Sequence, residues 1–394
     1  MKRVLVLNGN YSEIGLINAF HKLGHYVITT GNRPDLVGHQ YADQYVAHDY
    51  SDYVGLTELA RELKIDYVAA CTNDIGVTTA AYIAEQLGLP GHDTYLNSRI
   101  ISEKDLFKRF AQENGLQVIP AREFDEEAEA ERYVASAAFP IIVKPNDLFS
   151  GKGVSRADSV DEGVTAVYKA FAMSRSKHIV IEPYIEGTQH SICTFLVNRK
   201  VATYTTFNEM PEPNNPFLVG YGTLPADDMP QDAPLLIEQI EKMASLLGLA
   251  DGIFHMQYRL DRGKPYIMEC MRRNLGNYSL QLASYGLGLD WEEWIAKSYC
   301  GMDCSSIPQV NDTQKHLGAY WVQPPRNGRI KDVWVDPVVE QFLVHKIDNW
   351  HEGMEITNYH DEKVSYMWFE FPDREQKERY MERIVDYVSV IMED

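Results

Sequence analysis

Ile141-Ile142-Val143-Lys144-Pro145-Asn146-Asp147-Leu148-Phe149-Ser150-Gly151-Lys152-Gly153-Val154 opens as a run of β-branched residues and closes as a glycine loop. The apolar run reads as a buried strand, and Pro145 stops its ladder because it has no N–H to donate. In the loop Ser150-Gly151-Lys152-Gly153, the two glycines let backbone N–H groups approach an anion closely, and Lys152 adds charge. Lys144 and Lys152 bracket this loop, an arrangement suited to a polyphosphate. Taken alone, the same residues also describe a surface hairpin with a lysine on each side. The loop is not a P-loop, because the spacing G-x-x-x-x-G-K-[ST] is absent.

Upstream, Arg3-Val-Leu-Val-Leu7 reads as a first parallel strand, Asn8-Gly9-Asn10 as a turn, and residues 12–23 as a helix. The loop G-N-Y-S-E-I-G is not the dinucleotide fingerprint G-x-G-x-x-G. Strands at 25–30, 45–47 and 66–71 alternate with helices at 57–63 and 77–87, which predicts a parallel sheet with helices on both faces, closing near residue 95. Residues 98–114 read as one helix, 117–120 as a strand, 123–138 as a helix opened by acids, and 159–173 as a helix. A strand at 178–182 and a hairpin over 191–197 and 201–207 follow. Residues 209–228, rich in Pro, Asn and Gly, read as a long irregular loop. Strands 252–260 and 264–271 are joined by the hairpin signal Asp261-Arg262-Gly263. After helices near 276–286 and 291–300, strands at 318–322, 328–335 and 341–347 and a last amphipathic helix over 374–392 make a small final lobe.

The 394 residues suggest about two or three domains. A formal net charge of −20 repels phosphate backbones, so nucleic acid is not expected as a partner, and any anion site must be built from local cations and backbone amides. Five scattered cysteines, Cys300 and Cys304 among them, match no zinc or disulfide framework, so a reducing cytoplasm is the expected location. No apolar run is long enough for a membrane span.

The order of strand-lysine, glycine loop, Glu182-Pro183-Tyr184-Ile185-Glu186-Gly187 and two metal-ligand strands resembles the ATP-grasp superfamily, most closely its carbamoyl-phosphate-synthase-like and L-amino acid ligase branch. The resemblance implies an α/β and α+β fold: a Rossmann-like parallel-sheet domain at 1–95, a two-lobed ATP-grasp domain at 96–305 and a small C-terminal α+β lobe at 306–394. It implies ATP and Mg²⁺ or Mn²⁺ as cofactors. Lys104 and Lys144 would meet the α-phosphate, and Ser150, Gly151, Lys152 and Gly153 would close over the β- and γ-phosphates. Glu182, Tyr184 and Ile185 would hold adenine. Gln189 stands at the ribose position usually held by a glutamate, with His190 beside it; His190 also reads as a packed strand histidine. Gln257, after His255 and Met256, and Glu269 would be the metal ligands. Met271 replaces the usual asparagine, and a thioether is a poor Mg²⁺ ligand; water or Asn274 would then substitute. Arg273, with Lys152, would be catalytic, steadying the carboxyl-phosphate.

The implied activity is ATP-dependent ligation of a carboxylate to an amine through an acyl phosphate, releasing ADP and phosphate. The implied partners are small carboxylate and amine substrates, amino acids above all, and a homodimer is a family expectation. Asn208 and Tyr221 are candidate substrate contacts. Two other readings keep the same fold: a bicarbonate-activating carboxylase or carbamoyl-phosphate-type enzyme, and a nucleotide-binding regulatory protein without turnover, for which Met271 is the support.

Overall fold

Arg3–Leu7 (β1) is buried from Val4 onward, and Tyr26–Gly31 (β2), Gln44–Ala47 (β3) and Tyr67–Ala69 (β4) pair with it or with each other in parallel, in the order β3-β2-β1-β4. A parallel sheet covered by helices buries both faces, which is why β1 is a continuous apolar run rather than an alternating one. These coordinates are a computed structural model and describe residues 1–148, 151–212, 215–226, 229–311, 313–360 and 362–393. Helices Ile14–Lys22, Tyr53–Glu62 and Asp74–Leu87 cross the sheet. Each start has a local cause: Asn10 and Glu13 form a capping box just ahead of the first, and Asp52 and Asn73 cap the other two.

The single helix predicted over 98–114 is two, Tyr95–Ser102 and Lys104–Glu113, because Glu103 is extended (φ −91°, ψ 123°) and its carboxylate is held by Arg99 at 2.5 Å. That break turns Lys104 toward the centre of the molecule. Residues 117–120 form only an isolated parallel bridge, Val118 to Ile267. The acidic stretch from Glu123 starts as strand Arg122–Phe124 (β5), and its helix is Glu127–Val134.

Ile141–Pro145 (β6), Ser155–Ala157 (β7) and Ile179–Pro183 (β8) join β5 in a small antiparallel sheet, order β5-β8-β6-β7, backed by helix Val160–Met173. Thr188–Val197 (β9), Lys200–Glu212 (β10), Asn215–Leu224 (β11), Gly252–Asp261 (β12), Lys264–Met271 (β13) and His316–Val322 (β14) belong to a large sheet. Gly328–Val335 (β15) leaves it, Leu343–Asp348 (β16) rejoins it, Glu355–Ile356 (β17) pairs with β15, and Ser365–Phe371 (β18) returns to the large sheet. Among the described residues its order is β13-β12-β9-β10-β11-β14-β18-β16, so one antiparallel sheet runs through residues on both sides of position 305.

Two expectations fail here. The described residues of the expected loop over 209–228 are mostly strand: β10 and β11 pair as a hairpin with register shifts at Met210/Pro211 and Pro211/Glu212. Pro211 has no N–H for a ladder and is tolerated at a bulge, and Gly220 and Gly222 admit the partner strand closely. The last helix is also shorter than its periodicity suggests. Arg374–Met381 and Ile384–Tyr387 are helical, but Val388–Met392 (β19) pairs antiparallel with β15, as its β-branched composition favours.

All five cysteines are free and buried, and Cys300 Sγ lies 3.5 Å from His25 Nε2. Among the described residues no helix is long and apolar enough to cross a membrane.

Candidate active site

A cavity of about 740 Å³ opens where the small sheet, the large sheet and the first domain meet. Strands β12 and β13 make its floor in the register His255 to Met271 and Gln257 to Glu269. Alternate strand residues share a face, so His255, Gln257 and Arg259 stand beside Glu269 and Met271, with Arg273 just beyond, and all six line the cavity. Lys104, Lys144, Glu182, Tyr184, Ile185 and Gln189 line the same space, as does Gly151.

Lys144 Nζ donates to Glu182 Oε1 at 2.6 Å, and Lys108 Nζ is 3.6 Å from Glu182 Oε2. Burial pushes the Glu182 carboxyl up, but Lys144 and then Lys108 outweigh it and hold the group below the usual carboxylate range. The Lys108 ammonium is pushed down to about 8 by burial, against the pull of Glu182. Glu182 Oε2 has no hydrogen-bond partner among the described residues and is available to accept from a ligand amine. Tyr184 is flanked by the guanidiniums of Arg156 and Arg259, 4.3 and 5.1 Å from its ring centre.

Lys104 Nζ donates to the Leu148 carbonyl at 2.7 Å, which ties down the base of the glycine loop, and Asn146 Nδ2 donates to Asp105 Oδ1 at 3.0 Å. Gly151 has φ +67°, and a Cβ on it would stand 2.9 Å from the Phe217 carbonyl oxygen, so the loop and the β10–β11 hairpin meet over the cavity. Lys152 is exposed and absent from the cavity lining, and Gly153 lies under Pro145. Ser150 lies outside the described residues.

Gln257 and Gln189 donate their amide N–H groups to Glu209 Oε2, at 2.7 and 2.9 Å. This leaves the Gln257 amide oxygen, with the Glu269 carboxylate, as a pair of hard donors on adjacent strands, which fits Mg²⁺ or Mn²⁺ completed by ligand phosphates and water. Met271 does not join them: its sulfur lies 3.3 Å from Arg273 Nη2. Among the described residues no cluster of three or more His, Cys, Asp or Glu is placed to hold a metal. Burial raises the Glu209 carboxyl; hydrogen bonds from Ser191, Gln189 and Gln257 oppose this, and Glu269 adds to it.

Arg273 is held by Asp74, Nε to Oδ1 at 2.7 Å and Nη2 to Oδ2 at 3.3 Å. Asp74 opens the helix capped by Asn73, and Thr72 N and Oγ1 donate to the fully buried Glu13 at 3.0 and 2.8 Å. The first domain therefore supplies a wall of the site. His255 is buried, and neither ring nitrogen has a partner among the described residues; burial and Arg273 lower its pKa to about 3, so the ring is neutral near pH 7.

Three sequence candidates stand elsewhere. His190 is on the opposite face of β9 from Gln189: it stacks on Tyr258 with centroids 5.5 Å apart and borders an adjoining cavity. Asn208 borders that adjoining cavity too and bonds Thr223 Oγ1 at 2.9 Å. Tyr221 packs edge-on against Tyr320, away from the main cavity. Sequence reasoning missed Asp74, Lys108, Arg156, Glu209 and Arg259, and gave His255 no role. Arg259 was findable, since it shares the face of Gln257 two residues on; Asp74, 199 positions before Arg273, carries no local signal.

Residues 102–212 match the family described as the phosphoribosylglycinamide synthetase, ATP-grasp (A) domain. The L-amino acid ligase from Bacillus licheniformis superposes with a TM-score of 0.81 at 20% identity, over 100% of this chain and 99% of that one. Residues 102–212 are thus similar to an ATP-grasp domain. N5-carboxyaminoimidazole synthetase from Staphylococcus aureus, complexed with ADP, superposes with a TM-score of 0.73 at 16% identity, over 97% of this chain and 96% of that one. In sequence, phosphoribosylamine–glycine ligase of Listeria innocua serovar 6a is 26% identical over 163 residues, 40% of this chain and 39% of the relative. The chain thus matches about two fifths of the length of that curated relative.

Proposed function

We propose that the chain is an ATP-dependent carboxylate–amine ligase that forms an amide or peptide bond and releases ADP and phosphate. The observation that carries this reading is one cavity bringing Lys104, Lys144 and Glu182 together with Gln257, Glu269 and Arg273. Five cations line it, Lys104, Lys144, Arg156, Arg259 and Arg273, in a chain of net charge −20. Such local focusing of charge suits a bound triphosphate.

In this reading Lys144 and Lys104 position the phosphate chain, and Glu182 Oε2 accepts from the adenine amine. The glycine loop closes over the terminal phosphates and excludes water. A divalent cation between Gln257 and Glu269 would neutralise charge on the transferred phosphoryl group. An oxygen of the substrate carboxylate attacks the γ-phosphorus, the β–γ bridging bond breaks, and ADP leaves. The amine then attacks the acyl carbon and phosphate leaves. Arg273, aligned by Asp74, steadies the carboxylate end. The protein contributes positioning and electrostatics rather than a covalent nucleophile.

The substrates in this reading are a small carboxylate and an amine, amino acids above all. Residues 1–95 supply the wall with Asp74, 96–305 hold nucleotide and metal, and 306–394 complete the large sheet. Five unpaired cysteines suit a reducing, cytoplasmic setting.

The test is a phosphate-release screen over pairs of amino acids and small diacids, with hydroxylamine as a trap. ADP release requiring both a carboxylate and an amine, with a hydroxamate formed when the trap replaces the amine, supports the reading. ADP release driven by bicarbonate alone, or nucleotide binding without turnover that Met271→Asn restores, would replace it with one of the other two readings.

A further inference from the structure

A second cavity, of about 470 Å³, lies between the first domain, the start of helix Ser279–Leu287 and strand β16 at the edge of the large sheet. It shares no lining residue with the catalytic cavity. The partition between them is Tyr11 and Tyr278, stacked with ring centroids 5.1 Å apart; Tyr11 Oη donates at 3.1 Å to the carbonyl of Gly276, which faces the catalytic side.

Its walls are aromatic, with Tyr11, Tyr41, Tyr278 and Trp368 prominent, and no Asp, Glu, Lys or Arg among the described residues lines it. At the rim, Tyr41 is 46% exposed. Two lining residues carry a buried polar atom with no hydrogen-bond partner among the described residues: the Trp368 indole N–H, on a side chain only 9% exposed, and Gln281 Oε1. The Gln281 amide is oriented by its own N–H, which donates to Glu292 Oε1 at 2.6 Å, so the oxygen is the free end. A buried donor and a buried acceptor left unpaired are unfavourable, and native structures normally satisfy both.

We propose that this cavity is a second ligand site, for an uncharged planar heteroaromatic ring that carries one hydrogen-bond acceptor and one donor. The acceptor meets the Trp368 N–H and the donor meets Gln281 Oε1, while the tyrosine faces stack on the ring. His345 is the one lining imidazole, its ring 4.5 Å from that of Trp368; with no carboxylate, lysine or arginine among the described lining residues, an ionised ligand would lose its hydration with little compensation. The size fits one or two fused rings within the usual range for small-molecule sites. Such a ring reaches the site either as part of a substrate or as a free effector, and Tyr278, two residues from Gly276, links occupancy to the catalytic wall. Binding here is read without turnover, so it stands or falls independently of the proposed reaction.

The probe is quinolin-2(1H)-one, which carries both groups, with naphthalene, which carries neither, as control; the readout is calorimetric titration of the full chain. The expected result is one site for the quinolinone, with naphthalene weaker by about tenfold or more (~1.4 kcal/mol). Trp368→Phe and, at the exposed rim, Tyr41→Ala each weaken the quinolinone by about fivefold or more while ATP still binds. In the turnover assay, competition with the amine assigns the ring to a substrate, and a change in rate without competition assigns it to an effector; either supports the site. No binding of quinolinone at millimolar concentration, equal binding of naphthalene, or unchanged binding in both variants overturns it.

Discussion

Replacing Lys144 by methionine separates what the ion pair does for stability from what it does for chemistry. The pair is buried, with side-chain exposures of 14% for Lys144 and 6% for Glu182. Removing one member of a buried pair leaves an uncompensated charge, typically a loss of about 3–5 kcal/mol. Lys108 stays 3.6 Å from the second Glu182 oxygen, which places this case at the lower end, ~3 kcal/mol. For a chain of 394 residues that is a melting-temperature drop of roughly 4 °C. The double variant Lys144→Met/Glu182→Gln removes the orphaned carboxylate and recovers most of the loss. Neither variant recovers ligation, which falls by about 10²–10³ when an electrostatic donor to the phosphates is lost. The pH dependence has a definite sign. The folded Glu182 carboxyl sits below its usual range, so its contribution is present at neutral pH and disappears as pH falls through that depressed value. In Lys144→Met the carboxyl rises, and acid destabilisation begins at higher pH. The assays are thermal melts across pH and phosphate release. A Lys144→Met protein that melts within about 1 °C of the parent would refute the buried pair, and one that ligates at the parental rate would refute its catalytic role.

Glu269→Gln is expected to abolish turnover and weaken Mn²⁺ binding while nucleotide still binds, read by phosphate release and manganese EPR; an unchanged kcat sinks the metal assignment. Gly151→Ala meets the Phe217 carbonyl at 2.9 Å in a backbone conformation of φ +67°, so KM for ATP should rise with little change in melting temperature, since the loop is at the surface. Burial raises the Glu292 carboxyl to about 7, against hydrogen bonds from Asn274 and Gln281. Its folded form therefore holds a proton that the unfolded chain has lost, and stability falls as pH rises from the ordinary glutamate range to about 7, by roughly 3 kcal/mol in all. Glu292→Gln should flatten this slope in melts taken between those pH values; the same slope in the variant would assign the effect to another group.

Much of the fold was legible because local rules decide it. The apolar run of β1, the hairpin at Asp261-Arg262-Gly263 and the strand-to-loop change at Pro145 each follow from burial pattern and backbone chemistry within a few residues. Where local signals conflict, tertiary pairing won. Val388–Met392 continues an apparent helix but finds a partner in β15, and the proline- and glycine-rich residues 209–212 and 215–224 pair as a bulged hairpin, with β14 extending the sheet beside β11. The period of two along β13 puts Glu269, Met271 and Arg273 on one face, and that face lines the cavity, with Gln257 of β12 paired beside Glu269.

Chain order and residue type were enough to single out Lys144, Glu182 and the pair Gln257 and Glu269, since each rests on a motif a few residues long. Only folding could decide which groups answer them from a distance. Asp74 against Arg273, Glu209 between Gln189 and Gln257, and Lys108 behind Glu182 are such partners, and so is the burial of His190 on the opposite face of its strand. The physical reason is range. Backbone geometry and side-chain alternation act over a few residues, whereas electrostatic pairing and burial depend on distance through space, which the linear chain does not record.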